Sequence, residues 1–94
     1  MSELEYEYDY KVEDKILEFI ALCLEDSEDS AVEISKIKDG FKDIPSEVID
    51  DYIKIMNGSP RLYIGKLLDG HRVWLKDNGK KRIILLHGGD PFLR

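Results

Sequence analysis

Residues 31–56, AVEISKIKDGFKDIPSEVIDDYIKIM, decide the fold because they contain two helical patterns on either side of a short turn. Ser30 and Glu33 have the spacing of a capping box, in which each side chain accepts a hydrogen bond from a backbone amide at the start of a helix. This spacing predicts a helix that starts at Ser30, and Gly40 is expected to end it. The inward positions of this helix are Ala31, Ile34 and Ile37.

A further helix is expected after the turn GFKDIP at residues 40–45. Pro45 and Glu47 suit its first turn, since proline fixes a helical φ at a position whose amide needs no partner within the helix. NGSP at residues 57–60 ends it, because glycine and proline interrupt a helix. Its apolar positions are Val48, Ile49, Tyr52, Ile53 and Met56, and its outward positions are Ser46, Glu47, Asp50, Asp51, Lys54 and Asn57.

Upstream of this region the hydrophobic period changes. Residues 3–10, ELEYEYDY, alternate acidic and apolar side chains, which predicts either a β-strand or an acidic solvated tail. From Val12 the period becomes helical, so we expect a first helix that ends in EDSEDS at residues 25–30. Its inward positions are Val12, Ile16, Phe19, Ile20, Cys23 and Leu24, and its outward positions are Glu13, Asp14, Glu18 and Glu25.

Downstream of residue 60 the alternation of a sheet returns. Residues 61–68 and 71–76 flank Asp69-Gly70, a dipeptide typical of a two-residue hairpin turn with positive φ at both positions. DNGK at residues 77–80 then leads to a predicted third strand at residues 81–86. In the second strand we expect Arg72, Trp74 and Lys76 on one face, and Val73 and Leu75 on the other.

These elements predict one α+β domain of three helices followed by a small antiparallel meander. We divide the chain into an acidic strand or tail at residues 1–11, the domain at residues 12–87 and a tail at residues 88–94. A chain of 94 residues can bury a single core but not a core and a deep substrate cavity, which disfavours an enzyme.

The pattern resembles the winged helix-turn-helix superfamily, in particular small proteins of this kind from archaea and their viruses. Residues 31–56 match the helix-turn-helix, and LYIGKLLDGHRVWLK at residues 62–76 matches the hairpin called the wing. The resemblance implies a DNA-binding protein that regulates transcription, with the third helix in the major groove and the wing against the backbone or minor groove.

The predicted third helix is a poor match to that role, because its outward face is acidic. Glu47, Asp50 and Asp51 oppose a single cation, Lys54, whereas affinity for duplex DNA comes largely from cations in contact with phosphates. We therefore expect the wing to carry the contact with DNA.

The charge of the chain is divided between its two halves. Residues 1–58 contain 17 acidic and 6 basic residues, and residues 59–94 contain 3 acidic and 8 basic residues, within a net charge of -6. Basic side chains around a tryptophan can hold phosphates while the indole stacks on a base. The alternative is that lysines and arginines protect an edge strand while Trp74 closes the core. The candidate DNA-binding residues are Arg72, Trp74, Lys76, Lys80, Lys81 and Arg82, with Lys36 and Lys38 from the second helix.

Two functions follow from these patterns. The first is a non-enzymatic DNA-binding regulator that acts as a homodimer, so that two wings reach double-stranded DNA together. The second is a winged-helix protein-interaction module whose acidic third helix meets a basic protein partner. Its candidate residues are Glu47, Asp50, Asp51 and Lys54.

The sequence contains no catalytic motif and no spacing typical of a metal site. His71, His87 and Cys23 are widely separated, so we expect surface histidines, a core thiol and no cofactor. The acidic N-terminus is unlike a signal peptide and no apolar run is long enough to span a bilayer, which favours a cytoplasmic protein without a membrane partner. A charged fraction of 36% with one cysteine is typical of heat-adapted intracellular proteins.

Overall fold

The computed structural model describes residues 8–25 and 31–88, where helices and a small sheet share one core. The helices and strands in chain order are α1 (Tyr10–Glu25), β1 (Val32–Glu33), α2 (Ile34–Gly40), α3 (Ser46–Asn57), β2 (Ile64–Lys66), β3 (Arg72–Leu75) and α4 (Asp77–Leu86). The strands form an antiparallel sheet in the order β1-β3-β2. The predicted α+β class with a small antiparallel sheet is therefore confirmed for this part of the chain. The strand or tail expected at residues 3–10 lies mostly outside the described residues.

Helix α1 is amphipathic and begins earlier than the sequence pattern predicts, at Tyr10 instead of Val12. Ile16 and Ile20 are buried as expected, and Leu17 is buried as well. Glu13 was predicted to face outward, and this prediction is wrong, because only 3% of Glu13 is exposed. Its burial is explained by hydrogen bonds that its carboxylate accepts from Arg61 and Tyr8.

The second helix is shorter than predicted, because its expected first turn is extended. Ser30 lies outside the described residues, Val32 and Glu33 form β1, and α2 begins at Ile34 without a side-chain cap. Val32 and Glu33 pair with residues of β3, and the Ile34 amide donates to the His71 carbonyl at 2.8 Å. The backbone of residues 32–34 is thus paired with β3 and its neighbour His71 instead of forming a first helical turn. The predicted capped first turn is therefore wrong, while the predicted end at Gly40 is confirmed.

Helix α3 agrees closely with its sequence pattern. Ile49, Tyr52, Ile53 and Met56 are buried, and Val48 packs against the same core. The other core side chains are Ile16, Leu17, Ile20, Val32, Ile37, Ile64 and Val73. The helices and one face of the sheet thus share a single apolar cluster.

The β2–β3 hairpin is present, but its connection differs from the predicted two-residue turn. The Leu67 carbonyl accepts a hydrogen bond from the Gly70 amide at 2.9 Å, and the Leu67 amide donates to the Arg72 carbonyl at 2.9 Å. Only Gly70 of the predicted Asp69-Gly70 pair has positive φ, at 74°. Asp69 instead accepts a hydrogen bond from the His71 amide, and this contact shapes the turn.

The third strand predicted at residues 81–86 is wrong, because this segment belongs to helix α4. Gly79 is buried, and Ile83 packs against the core from the same side of the helix. Gly79 and Ile83 are four residues apart, which is the spacing of one helical face. Helix α4 packs against α1, and the third strand of the sheet is β1 instead.

Candidate nucleic-acid interface

Trp74 is the centre of the candidate interface, and its indole lies over Gly65 of the neighbouring strand. The two residues are cross-strand partners, so their side-chain positions share one face of the sheet. A β-carbon at Gly65 would lie 2.3 Å from the indole nitrogen, which shows how closely the ring approaches the strand. Trp74 has 39% of its surface exposed, so it does not close the core. One side of the ring is held by the sheet and the remainder is available for contact.

Two lysines accompany this tryptophan. Lys76 Nζ lies 5.9 Å from the centre of the Trp74 ring, within the range of a cation–π contact. Lys80 lies one helical turn beyond Lys76, and its amide donates to the Lys76 carbonyl at 3.0 Å. Trp74 and Lys80 both line an open groove of about 540 Å³ between α1, β3 and α4. We call Trp74, Lys76 and Lys80 the Trp74 surface.

The expected faces of β3 are confirmed, since Val73 is buried while Arg72 and Trp74 are exposed. The cation of Arg72 is paired within the hairpin, because its Nη2 lies 2.9 Å from Asp69 Oδ2. The His71 amide and the Arg72 side chain both donate hydrogen bonds to Asp69, and these hold the pKa of that carboxyl below its usual value. The tip of the hairpin consequently carries an ion pair instead of an excess of positive charge.

The three basic residues expected at a turn, Lys80, Lys81 and Arg82, all lie in α4, and they do not form one cluster. Lys80 lines the groove beside Trp74, whereas Lys81 and Arg82 line a separate cleft. Arg82 Nε and Nη2 donate to the two carboxylate oxygens of Asp14 at 3.1 and 2.9 Å. This two-point hydrogen bonding raises the pKa of the Arg82 guanidinium.

The lysines expected from the second helix lie apart from the Trp74 surface. Lys36 is exposed on α2, and Lys38 Nζ lies 2.9 Å from Asp50 Oδ1 on α3. The Lys38 cation therefore offsets one carboxylate of the acidic third helix.

The outward side of α3 is acidic, as the sequence predicts. Glu47 and Asp50 are exposed, Asp51 is half-buried, and Lys54 is the exposed cation of the last turn. We call this side the acidic α3 face. It offers a polyanion one lysine against three carboxylates, which opposes the conventional insertion of this helix into a DNA groove.

Sequence reasoning missed a cluster of buried polar groups around Glu13. Arg61 Nε donates to Glu13 Oε2 at 2.8 Å, and the Tyr8 hydroxyl donates to the same oxygen. Arg61 also lies over the Tyr10 ring, with 5.3 Å between the Arg61 Cζ and the ring centre. The hydrogen bond to Glu13 raises the pKa of Arg61, while burial and the Glu13 hydrogen bond raise the pKa of Tyr8. No local pattern signals this cluster, because its partners are up to 48 positions apart.

The described residues contain no candidate metal-binding site. No group of three His, Cys, Asp or Glu side chains in residues 8–25 and 31–88 is arranged to hold a metal ion. His87 Nε2 lies 3.3 Å from Glu18 Oε2, and Cys23 is half-buried against the core as a free thiol. Among the same residues no helix is both long and apolar enough to cross a bilayer.

Comparison with protein-family models, with curated proteins and with solved structures gives no match. The class of this protein is therefore described by its own architecture, an α+β fold with a small three-stranded antiparallel sheet. Its surface includes a partly exposed tryptophan with one lysine beside the ring and a second lysine in the same groove.

Proposed function

We propose that this protein is a non-enzymatic winged-helix module that binds double-stranded DNA through the Trp74 surface and regulates transcription as a homodimer. The winged-helix part of the proposal is supported by the element order, in which α2 and α3 are followed by the β2–β3 hairpin. It is also compatible with β1 lying between α1 and α2 and pairing with β3. In this proposal the hairpin and the start of α4 contact DNA, and α3 does not enter the groove.

The observation that carries the proposal is the indole of Trp74, which is fixed on Gly65 and remains partly exposed, with Lys76 beside its ring and Lys80 in the same groove. A tryptophan ring supplies a flat apolar face for a sugar or a base, and stacking on a base contributes about 1–3 kcal/mol. Lys76 and Lys80 supply positive charge beside that face, and neither forms an ion pair with the described residues. Glu25 and Asp77 line the same groove, so these lysines have to outweigh two nearby carboxylates. Stacking and phosphate contact would thus be made by neighbouring side chains.

Electrostatics set the expected character of this binding. The chain has a net charge of -6, and the acidic α3 face repels phosphates. Contacts restricted to a few lysines give moderate affinity that decreases with salt, by a logarithmic slope of about 0.9 for each phosphate contact. A homodimer would present two Trp74 surfaces to one duplex, which strengthens binding without new contacts in either subunit.

The test uses the fluorescence of Trp74, which is the single tryptophan of the chain. Duplex DNA is titrated at low and moderate salt, and the emission reports contact at the proposed surface directly. Replacing Lys76 and Lys80 by alanine is compared with a control that replaces Lys15 and Lys42, two exposed lysines on other parts of the molecule.

We expect the Lys76/Lys80 variant to bind DNA more weakly than the parent chain. The slope of its log affinity against log salt concentration should be shallower by up to about 0.9 per lost phosphate contact. The control should bind like the parent chain. Sedimentation of the complex measures whether two copies bind one duplex. The proposal fails if low salt gives no fluorescence change, or if the two variants are indistinguishable.

A second candidate function is a protein-interaction module, and it is favoured by the acidic α3 face. Glu47 and Asp50 are exposed on a helix whose inner side is firmly buried. A basic partner surface would complement these carboxylates. Replacing Glu47 and Asp50 by glutamine and asparagine should abolish binding to such a partner without changing the response of Trp74 to DNA.

A further inference from the structure

We propose that a second cleft of this protein, between residues 60–63 and α4, binds a phosphate group. The cleft has a volume of about 350 Å³. Its polar lining consists of Arg61, Asn78, Lys81 and Arg82, and we call it the Arg61 cleft. Tyr63 and Leu85 contribute to its walls. The proposal rests on the charge of this lining and on the way in which its two arginines are held.

Both arginines are oriented by carboxylates of α1, to which they donate hydrogen bonds. Glu13 holds Arg61 through Nε at 2.8 Å, and Asp14 holds Arg82 through Nε and Nη2 at 3.1 and 2.9 Å. Neither carboxylate lines the cleft. A guanidinium has five N–H donors, so both arginines retain donors for a ligand. Because the side chains are already ordered, a ligand does not have to immobilise them, which reduces the entropic cost of binding.

The charge of the lining is of one sign. Arg61, Lys81 and Arg82 are the charged residues of the lining, and among the described residues no acidic side chain lines the cleft. Glu13 and Asp14 offset two of these cations from outside the lining, so Lys81 supplies the excess positive charge. Lys81 is exposed and makes neither a hydrogen bond nor an ion pair with the described part of the chain. By contrast, the groove beside Trp74 includes Glu25 and Asp77 in its lining. The Arg61 cleft is therefore the better site for an anion.

The chemistry of the donors favours a phosphate. Two planar guanidinium groups and one mobile ammonium offer several hydrogen bonds to a tetrahedral anion, and arginine is the side chain that best matches phosphate oxygens. The walls formed by Tyr63 and Leu85 can contact the carbon atoms to which a phosphate is attached. The expected ligand is thus a phosphate ester.

The phosphate can come from a nucleic-acid backbone or from a free phosphorylated molecule. Asn78 lines both the Arg61 cleft and a smaller pocket that also contains Trp74 and Lys76. A nucleic-acid strand bound at Trp74 would consequently pass next to the cleft. The nucleic-acid source rests on the proposed function, whereas phosphate binding by the cleft does not.

The experiment is a titration of the ¹⁵N-labelled full chain, followed by the amide signals of residues 78–82 and the Nε–H signals of Arg61 and Arg82. The probes are inorganic phosphate, pyrophosphate and a short single-stranded DNA, with sodium chloride at matched ionic strength as the reference. Lys81→Gln is compared with Lys42→Gln, which removes the same charge from an exposed site on another part of the molecule.

We expect phosphate and pyrophosphate to shift the signals of the cleft, and Lys81→Gln to weaken this binding about tenfold, as the loss of one charge-assisted hydrogen bond predicts. Lys42→Gln should leave it unchanged. No shift beyond the chloride reference, or equal binding by both variants, overturns the proposal.

The DNA probe distinguishes the source of the phosphate from the failure of either proposal. If DNA shifts the signals of the cleft and displaces pyrophosphate, the site accepts backbone phosphates. If pyrophosphate binds and DNA does not displace it, the site serves a free phosphorylated molecule. If duplex DNA changes the fluorescence of Trp74 but no probe shifts the signals of the cleft, this inference alone is refuted. If the probes shift the signals of the cleft but duplex DNA leaves the fluorescence unchanged, the proposed function alone is refuted.

Discussion

Trp74 lies over Gly65, and the contact leaves no room for a β-carbon on the smaller residue. A β-carbon at Gly65 would lie 2.3 Å from the indole nitrogen and 2.6 Å from the adjacent ring carbon. We predict that Gly65→Ala forces the indole away from the sheet and lowers the free energy of unfolding by about 1–3 kcal/mol, the usual cost of overpacking. Urea denaturation measures the loss, and Trp74 emission reports the change in ring exposure.

Gly58→Ala is the matched control. A β-carbon at Gly58 would meet its nearest atom at 3.5 Å, which is ordinary van der Waals contact, and this glycine has φ near -99°. Alanine is therefore compatible with its conformation. An emission spectrum that is equally unchanged in both variants would show that the indole is not held by Gly65.

Gly79 likewise allows α4 to pack closely, but here the atom that a β-carbon would meet belongs to the backbone. A β-carbon at Gly79 would lie 2.3 Å from the carbonyl oxygen of Tyr63. Replacing glycine by alanine within a helix normally stabilises it by about 1 kcal/mol. We predict the opposite sign for Gly79→Ala, because α4 must move away from residue 63 to admit the methyl group. A melting temperature at or above that of the parent chain would contradict this prediction.

The sequence pattern predicted α3 well because that helix carries its own evidence. Pro45 precedes it as the N-cap residue, Glu47 lies in its first turn, and its buried residues repeat at one period from Ile49 to Met56. Such local signals need no knowledge of the rest of the fold. The same is true of β3, where the alternation of Val73 and Trp74 correctly predicts the buried and exposed faces.

Other elements depend on partners that are distant in sequence. Val32 and Glu33 fall in the first turn of a predicted helix, and they form a strand instead because they pair with β3. The run of apolar residues after Arg82 is short enough to suit a strand or a helix, and its packing against α1 makes it helical. For the same reason the two arginines of the Arg61 cleft could not be predicted to share a site, since a turn and a helix bring them together.

The pair formed by Arg61 and Glu13 should contribute more to stability than ion pairs at the surface. Glu13 is 4% and Arg61 is 23% exposed at the side chain, and the hydrogen bond between them is 2.8 Å long. Removing one partner of a buried pair costs about 3–5 kcal/mol, because a charge is left without compensation. We predict a loss of roughly 2–3 kcal/mol for Glu13→Gln, since water still reaches Arg61.

A double-mutant cycle separates the ion pair from packing. The combination of Glu13→Gln and Arg61→Met should lose less stability than the sum of the single losses, because the second change removes the uncompensated charge. Lys38→Gln, which breaks a more exposed pair with Asp50, should cost about 1 kcal/mol or less. Strict additivity in chemical denaturation would show that Glu13 and Arg61 stabilise the fold independently.

Tyr8 should make the stability of this protein depend on pH in the alkaline range. Burial, together with the hydrogen bond to Glu13, raises the pKa of Tyr8 above its usual value of 10.0. A raised pKa means that the folded state holds the phenolic proton more tightly than the unfolded state, so the associated stability is fully present below pH 10. It is lost as the pH rises further, because the unfolded chain then releases a proton that the folded chain retains. One such group changes the free energy of unfolding by at most about 1.4 kcal/mol per pH unit.

We predict that Tyr8→Phe lowers the free energy of unfolding at pH 8, because the hydrogen bond to Glu13 is lost. Between pH 10 and 11 the free energy of unfolding should decrease less in this variant than in the parent chain. Urea denaturation of both proteins across pH 8–11 measures the difference, in which the contributions of the other tyrosines and the lysines cancel. Parallel pH profiles would mean that the phenolic proton of Tyr8 is not held by the fold.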